Sequence, residues 1–416
     1  MIRCSRALVG GAERNDYAFV VRAGEIVDAG DFHAVHERHG EAPARAFPAD
    51  RLVVPGFVNG HSHAYQILLR GWADDLPFER WRSEALYRVV PKLTPEDVYW
   101  VFVAAFGEML AAGITTVVEF FYLNGYGNAH AEAAIRAARA TGVRLVFARA
   151  WMDNPQAPEA FRERAEIAAE RSRELREQHP EIAICIAPHS LHGASEPMLR
   201  AATAFARDEG CDLHIHVAER PEPAGQVLTL ERLGMLGDRT VAVHVIHVNA
   251  EERELLARRG VRVVHNPSTN LYLGDAIADV VGLRERGVTI GLGTDANVKP
   301  SILAEMRAAS YLQKLVRNDG AALGAAAAYE MATTGGAKAI GIQAGDLVPG
   351  NAADFVVLGA GAIDPWSPPV NGLVYRTEDA AVQATFVGGR RAYTGEPSAL
   401  TREGRRETAA ILRRLS

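Results

Sequence analysis

The rhythm of apolar and polar positions changes near residue 52. Before it, short apolar runs such as 17–21 and 25–27 are broken by Gly and Asp, a pattern that predicts small antiparallel strands. After it, strand-like apolar runs alternate with long amphipathic stretches. The strand-like runs are 115–121, 143–151, 182–187, 212–217, 240–244, 261–265 and 288–293, and helical stretches are expected at 95–112, 129–140, 158–177, 196–209, 250–259 and 279–286. With the run that ends near His61, this makes eight strand–helix units, the number that closes a parallel barrel. Two more helical stretches follow at 302–316 and 321–340, and after Gly345 short strands separated by Gly and Pro return. The expected architecture is α/β: a (β/α)8 TIM barrel over 53–343, with a small β-sandwich domain built from both chain ends, 1–52 and 344–416. The charged helical tail from Glu403 is expected to present a solvated face.

A parallel barrel carries its chemistry at the carboxyl ends of its strands. The apolar run 52–58 leads into His61-Ser62-His63. Side chains alternate along an extended backbone, so both imidazoles face one side. Such a pair suits a zinc-like ion, which needs one or two more protein ligands and, if catalytic, an open position. Other strand ends offer His189, His214 and His216 with Glu219, His244 and His247, His265, and finally Asp295. So many imidazoles at one mouth are hard to explain as packing, because each would need a partner in an apolar site. His216-Val-Ala-Glu219 sets a carboxylate three residues past a potential ligand, suited to proton transfer beside a metal-activated water. His214 shares the parity of His216, so spacing leaves open which of them ligates. Asp295 adds a hard anionic oxygen from the opposite side, completing three imidazoles and one carboxylate.

Composition narrows the partners. The chain has 416 residues, 48% hydrophobic and 23% charged, with net charge −6, so it carries no basic footprint for nucleic acid or an anionic membrane surface. Small-molecule substrates remain. Cys4, Cys185 and Cys211 are far apart, and two lie in apolar runs, which reads as reduced packing residues rather than a disulfide framework. No run is long enough to cross a bilayer and no apolar signal core opens the chain, so a cytoplasmic location is expected.

Taken together these motifs resemble the amidohydrolase superfamily, and within it the deaminase-like, single-metal branch. Residues 55–63 look like the family's strand-one motif, His216 to Glu219 its strand-five His-x-x-Glu, Val243-His244 its strand-six histidine and Asp295 its strand-eight aspartate. The resemblance implies that His61, His63, His216 and Asp295 bind one divalent metal ion, zinc first, with iron or manganese also tolerated. It implies that Glu219 shuttles protons, that Asp295 takes part in catalysis, and that His244 hydrogen-bonds the attacking water or the substrate. Two-metal relatives carry a carboxylated lysine on strand four, and 182–188 has no lysine, so a single ion is expected. The implied reaction is hydrolytic loss of ammonia from an N=C–NH2 carbon. A homodimer is what the family suggests.

Substrate signals divide. Residues 71–81, with Trp72, resemble the loop that covers the pocket in aminoheterocycle deaminases, and Asn266-Pro267-Ser268-Thr269-Asn270 resembles their strand-seven motif. Gln66, Arg82, Tyr122 and His189 instead look like formimidoylglutamate deiminase, except that His192 stands where a carboxylate-clamping arginine is expected. Arg82, Arg149 and Lys299 are the cations available to an anionic substrate group. Triazine-type loss of halide or alkylamine is a further alternative. A non-catalytic scaffold would have lost metal ligands, and every one is present.

Overall fold

A computed structural model describes residues 1–40 and 43–415. Its barrel strands are β1 (Phe57–Ser62), β2 (Ile114–Phe121), β3 (Arg144–Trp151), β4 (Ala183–Pro188), β5 (Leu213–Val217), β6 (Thr240–His244), β7 (Arg262–His265) and β8 (Ile290–Leu292). Neighbours pair in parallel and in chain order. Helices cover the outer face and side chains fill the interior, so β1 and β2 are buried at every position. Strands buried on both faces read as continuous apolar runs, and that is the signal the sequence carries.

The seam between β1 and β8 is closed by backbone hydrogen bonds at the catalytic end. Thr294 N and Asp295 N both donate to His61 O at 3.0 Å, and His63 N donates to Asp295 O at 2.9 Å. Gly293 makes this approach possible: a Cβ there would lie 2.4 Å from Asn266 Oδ1 and 2.8 Å from His61 O. The 321–340 stretch forms two helices, Ala325–Ala332 and Thr334–Ala339, broken at Thr333. Gly335 and Gly336 follow the break, where glycine weakens helix continuation and lets the backbone press on Val58 and Ile290 of β1 and β8. Between β5 and β6 the crossover carries the short helix Gln226–Arg232, which the apolar pattern did not indicate.

Both chain ends meet in a separate sheet of eight strands. Arg390–Tyr393, Val382–Val387, Phe355–Leu358, Leu52–Pro55, Ile2–Val9, Ala12–Arg22 and Glu25–Asp31 lie side by side, and Arg45–Phe47 pairs with Ile2–Val9. Leu52–Pro55, read above partly as barrel, pairs here instead, and the chain passes to the barrel at Gly56. The sheet curls over on itself. Phe19 and Phe355 sit on strands separated by two others, yet their ring centroids are 5.3 Å apart. Cys4, Phe19, Val53, Phe355 and Phe386 fill the fold of the curl. Arg144 at the start of β3 grips Asp354 through two 2.9 Å bonds and ties this sheet to the barrel.

The C-terminal helix Ala399–Leu415 is solvated on one face only. Arg402, Arg405 and Arg406 are exposed, whereas Thr401, Gly404 and Ile411 are buried, with Gly404 against Val103 of the helix Pro95–Ala111. All three cysteines are free and buried. Among the described residues, no helix is long and apolar enough to cross a membrane.

Candidate active site

Four strand ends deliver the polar cluster: His61 and His63 at the end of β1, His216 on β5, His244 closing β6, and Asp295 just past β8. Two overlapping groups, His61–His63–Asp295 and His61–His216–His244, each have their ligand atoms within 4.8 Å of one another. Asp295 Oδ1 lies 3.2 Å from His61 Nε2 and 3.5 Å from His63 Nε2, and His216 Nε2 is 3.3 Å from His61 Nε2.

Hydrogen bonds on the far ring nitrogens sort these histidines. His63 Nδ1–H donates to Phe120 O and His216 Nδ1–H to His189 O, both at 2.8 Å, so each turns an Nε2 lone pair toward Asp295 and His61. His244 is arranged the other way: its Nδ1 faces the amide nitrogens of Asn270 at 3.3 Å and Asn266 at 3.5 Å. Its Nε2 faces Glu219 Oε1 at 3.8 Å and Asp295 Oδ2 at 3.9 Å. Burial, reinforced by neighbouring imidazoles, holds His61 and His63 well below the usual histidine range, in the neutral form a metal requires. Three neutral imidazoles and a carboxylate converging on one point are a donor set that fits a zinc-like ion.

His214 shares the parity of His216 but is set one layer deeper and belongs to neither group. Neither it nor His265 has a hydrogen-bond partner on its ring nitrogens among the described residues, and burial pushes both down to about 3. They are neutral packing imidazoles, the reading the sequence had weighed against. His247, half-buried beyond β6, is outside both groups as well.

The backbone at this mouth is strained. Ala218, His244, Val245, Asp295 and Asn297 all have φ between 44° and 74°, unusual for side chains with a Cβ, and such strain collects at functional sites. A closed network holds the Asp295 turn: Asn297 Nδ2 donates to Asp295 O at 2.7 Å and to Ser62 Oγ at 2.9 Å, while Thr294 Oγ1 donates to Asn297 Oδ1 at 2.7 Å. Asn59 Nδ2 completes it on Thr294 Oγ1 at 2.7 Å. Glu219 stands over the cluster, where burial and the nearby Asp295 charge push its carboxyl up to about 7, a value suited to giving and taking protons near neutrality.

A cavity of about 760 Å³ opens above the cluster, with His63, His216, Glu219, His244 and Asp295 along its floor. Its walls are largely aromatic: Phe78, Trp81, Tyr87, Tyr122 and Phe161. Gln66, Arg82, His189 and His192 also reach it. Gln66 Nε2 donates to Tyr122 OH at 3.3 Å, and His192 Nε2–H donates to Glu222 O at 2.9 Å. Arg82 pairs with Glu79 and lies over the rings of Phe78 and Tyr87.

Three expected pocket residues lie elsewhere. Trp72 packs below the loop with Arg88 over its ring, and Trp81 takes the place on the wall. Arg149 is 1% exposed and bound to Glu163 at 2.8 Å, so its charge is consumed inside the protein. Lys299 is exposed and pairs with Asp379 at 3.3 Å, outside the pocket. Phe78 lies in the 71–81 stretch expected to cover the pocket and does reach its wall. Conversely, the sequence reading passed over Phe161, which closes a single 3-10 turn, Glu159–Phe161, too short to leave a periodic signal. It also passed over Asp275 and Asn297, although the Asn-Pro-Ser-Thr-Asn run pointed to Asn270.

Comparison with known proteins agrees with this geometry. The Amidohydrolase family model matches residues 52–392. A 5'-deoxyadenosine deaminase of Methanothermobacter thermautotrophicus is 33% identical over 84% of each chain. A 5-methylthioadenosine/S-adenosylhomocysteine deaminase of Natronomonas pharaonis is 34% identical, covering 87% of this chain and 88% of its own. Among solved structures, an adenosine deaminase from Xanthomonas campestris with bound zinc superposes with a TM-score of 0.89 at 28% identity, over 99% of this chain and 98% of its own. The chain belongs to the amidohydrolase family, and it is a hydrolase acting on C–N bonds.

Proposed function

We propose that this protein is a single-zinc hydrolytic deaminase that releases ammonia from the N=C–NH2 carbon of an aminopurine nucleoside. The observation that carries the reading is the convergence of Glu219, the Nε2 of His244 and Asp295 on the floor of an aromatic cavity. His61, His63, His216 and Asp295 would hold the ion. When bound, a divalent ion supplies Lewis acidity that makes water a competent nucleophile near pH 7.

The protein's own groups do the rest. Glu219, poised near neutrality by burial, accepts a proton from the water and passes it to the ring nitrogen of the substrate. The Nε2–H of His244 donates to the attacking oxygen as charge develops there. Asp295 orients the water from the opposite side and accepts its second proton, which leaves with ammonia. Phe78, Trp81, Tyr87 and Phe161 offer faces on which a purine can stack while water is kept out. Relatives named for 5'-deoxyadenosine and for 5-methylthioadenosine and S-adenosylhomocysteine support an adenosine whose 5' oxygen is absent or replaced by a thioether.

A second reading, an iminohydrolase of formimino amino acids, is favoured by the Gln66–Tyr122 pair beside Arg82. Ammonia release from 5'-deoxyadenosine, 5-methylthioadenosine, aminopterins and formimino amino acids, with chloride or alkylamine release from triazines measured alongside, separates the readings. Turnover of the nucleosides alone is expected, and turnover confined to formimino amino acids or triazines would overturn it. Three buried free thiols support a reducing, cytoplasmic setting. A homodimer is the assembly we propose, and light scattering at a monomer mass would contradict it.

A further inference from the structure

We propose that Asp275 and Asn270 are positioning residues that decide which ring nitrogen of His244 carries the proton. The inference rests on the reading of His244 as a hydrogen-bond donor to the reacting oxygen, and its test is read from the imidazole itself.

His244 is 1% exposed, and its backbone is held at φ 74°, so the ring has little freedom to escape its neighbours. Its Nδ1 lies 3.3 Å from Asn270 Nδ2. An asparagine can present either its NH2 or its carbonyl to a neighbour, and only its other contacts tell them apart. Here the other contact is decisive: the same Asn270 nitrogen lies 3.1 Å from Asp275 Oδ2. A carboxylate only accepts, so the group between Asp275 and His244 is the NH2.

Burial and the Glu219 charge push the Asp275 carboxyl up to about 6 while Arg220 and the Asn270 amide oppose them, so near neutral pH it is the accepting carboxylate. Its side chain is fully buried, and Arg220 Nη1 sits 3.0 Å from its other oxygen. The 270–275 turn is pinned by Asp275 N donating to Asn270 O at 3.0 Å, which keeps donor and acceptor in register. Orientation therefore passes along the chain of contacts: Arg220 fixes Asp275, Asp275 fixes the Asn270 amide, and the amide obliges His244 Nδ1 to accept. The proton is left on Nε2, the nitrogen that faces Glu219 at 3.8 Å and Asp295 at 3.9 Å. In the opposite tautomer Nε2 would turn a lone pair toward two carboxylates and give nothing to an oxygen gaining negative charge. Arg220 also follows Glu219 directly in sequence, so one buried carboxylate steadies the segments carrying both the proton shuttle and the donor.

The test is nitrogen-15 NMR of the zinc-loaded protein labelled at histidine, with the His244 signals assigned by their loss in His244→Gln. The wild type should show Nε2–H and a bare Nδ1. Asp275→Leu should convert His244 wholly or partly to Nδ1–H and lower kcat by about 10- to 100-fold with KM little changed, the range for losing a residue that orients a catalytic histidine. Asp275→Asn, which still offers an accepting oxygen, should restore both. A wild-type His244 that is protonated on Nδ1 overturns the proposal even if Asp275→Leu fails to fold. So does an Asp275→Leu protein whose His244 keeps the wild-type tautomer. Failure of the deaminase reading would show instead as a correct tautomer without ammonia release.

Discussion

Replacing Arg149 with methionine separates a residue that holds the wall of the pocket from one that holds substrate. Arg149 and Glu163 are 1% and 2% exposed and meet at 2.8 Å, and Arg171, 32% exposed, reaches the same carboxylate. Burial pulls the guanidinium below its ordinary pKa while Glu163 opposes the shift, so the charge persists because of this partner. Removing one member of a buried pair costs about 3–5 kcal/mol, because the remaining charge is left uncompensated. Arg171 stays to receive part of the Glu163 charge, which places Arg149→Met near the lower figure, about 3 kcal/mol. The double variant Arg149→Met/Glu163→Gln removes the stranded charge and should recover most of that loss. Urea unfolding of the metal-loaded protein measures all three, alongside KM for the accepted substrate. Glu163 N donates to Met152 O at 2.9 Å, and Phe161 lines the cavity nearby, so a loosened wall accounts for a KM change of up to about threefold. An unfolding midpoint equal to wild type, together with a KM raised about tenfold or more, would refute the reasoning and put Arg149 on the substrate.

Glu305, wholly buried beneath the strand-seven loop, is pushed by burial from the ordinary 4.5 up to about 8. The folded protein thus keeps a proton that the unfolded chain releases, so the group's stabilising contribution is complete below about pH 4.5 and lost as pH rises through about 8. Within that window Glu305→Gln should gain on wild type by about 1.4 kcal/mol per pH unit, and unfolding curves at pH 5.5 and 7.5 that keep a constant separation would contradict this. Gly293→Ala should cost about 2–3 kcal/mol and displace His61, seen as a lower melting temperature and reduced zinc content; a wild-type variant on both counts would refute the tight seam. Chelation should lower the melting temperature by an amount that grows with the prior ratio of free metal to Kd, and an unchanged melting curve would argue against a site preformed in the fold.

The barrel was legible because strands buried on both faces leave continuous apolar runs, and the candidate ligands because strand ends are where such runs stop. Parity took the reading further than depth could. His61 and His63 share a face and both reach the cluster, whereas His214 and His216 share a face and only His216 does. Arg149 shows the complementary gap. It has the parity of Trp151, whose indole donates to Ser172 on the helix Ala165–Gln178, so both point out of the barrel into the helix layer. A strand end alone does not say which side faces the mouth. The switch between sheets at Gly56 was hidden because the apolar run 52–58 crosses it without a polar break. The aromatic wall and the Asn270–Asp275 contact come from helical turns of three to seven residues and their ends, too short to show a period, so their meaning lies in three-dimensional contact and not in spacing.

The central claim is that one bound ion and Glu219 together convert an amine-bearing ring carbon to a carbonyl. It is tested most directly by measuring zinc content and ammonia release from 5'-deoxyadenosine in wild type and Glu219→Gln side by side. The account predicts one equivalent of zinc in both proteins, stoichiometric ammonia from the wild type, and a rate lower by about 10²–10⁴ in the variant. Undiminished ammonia release by a zinc-loaded Glu219→Gln would contradict it.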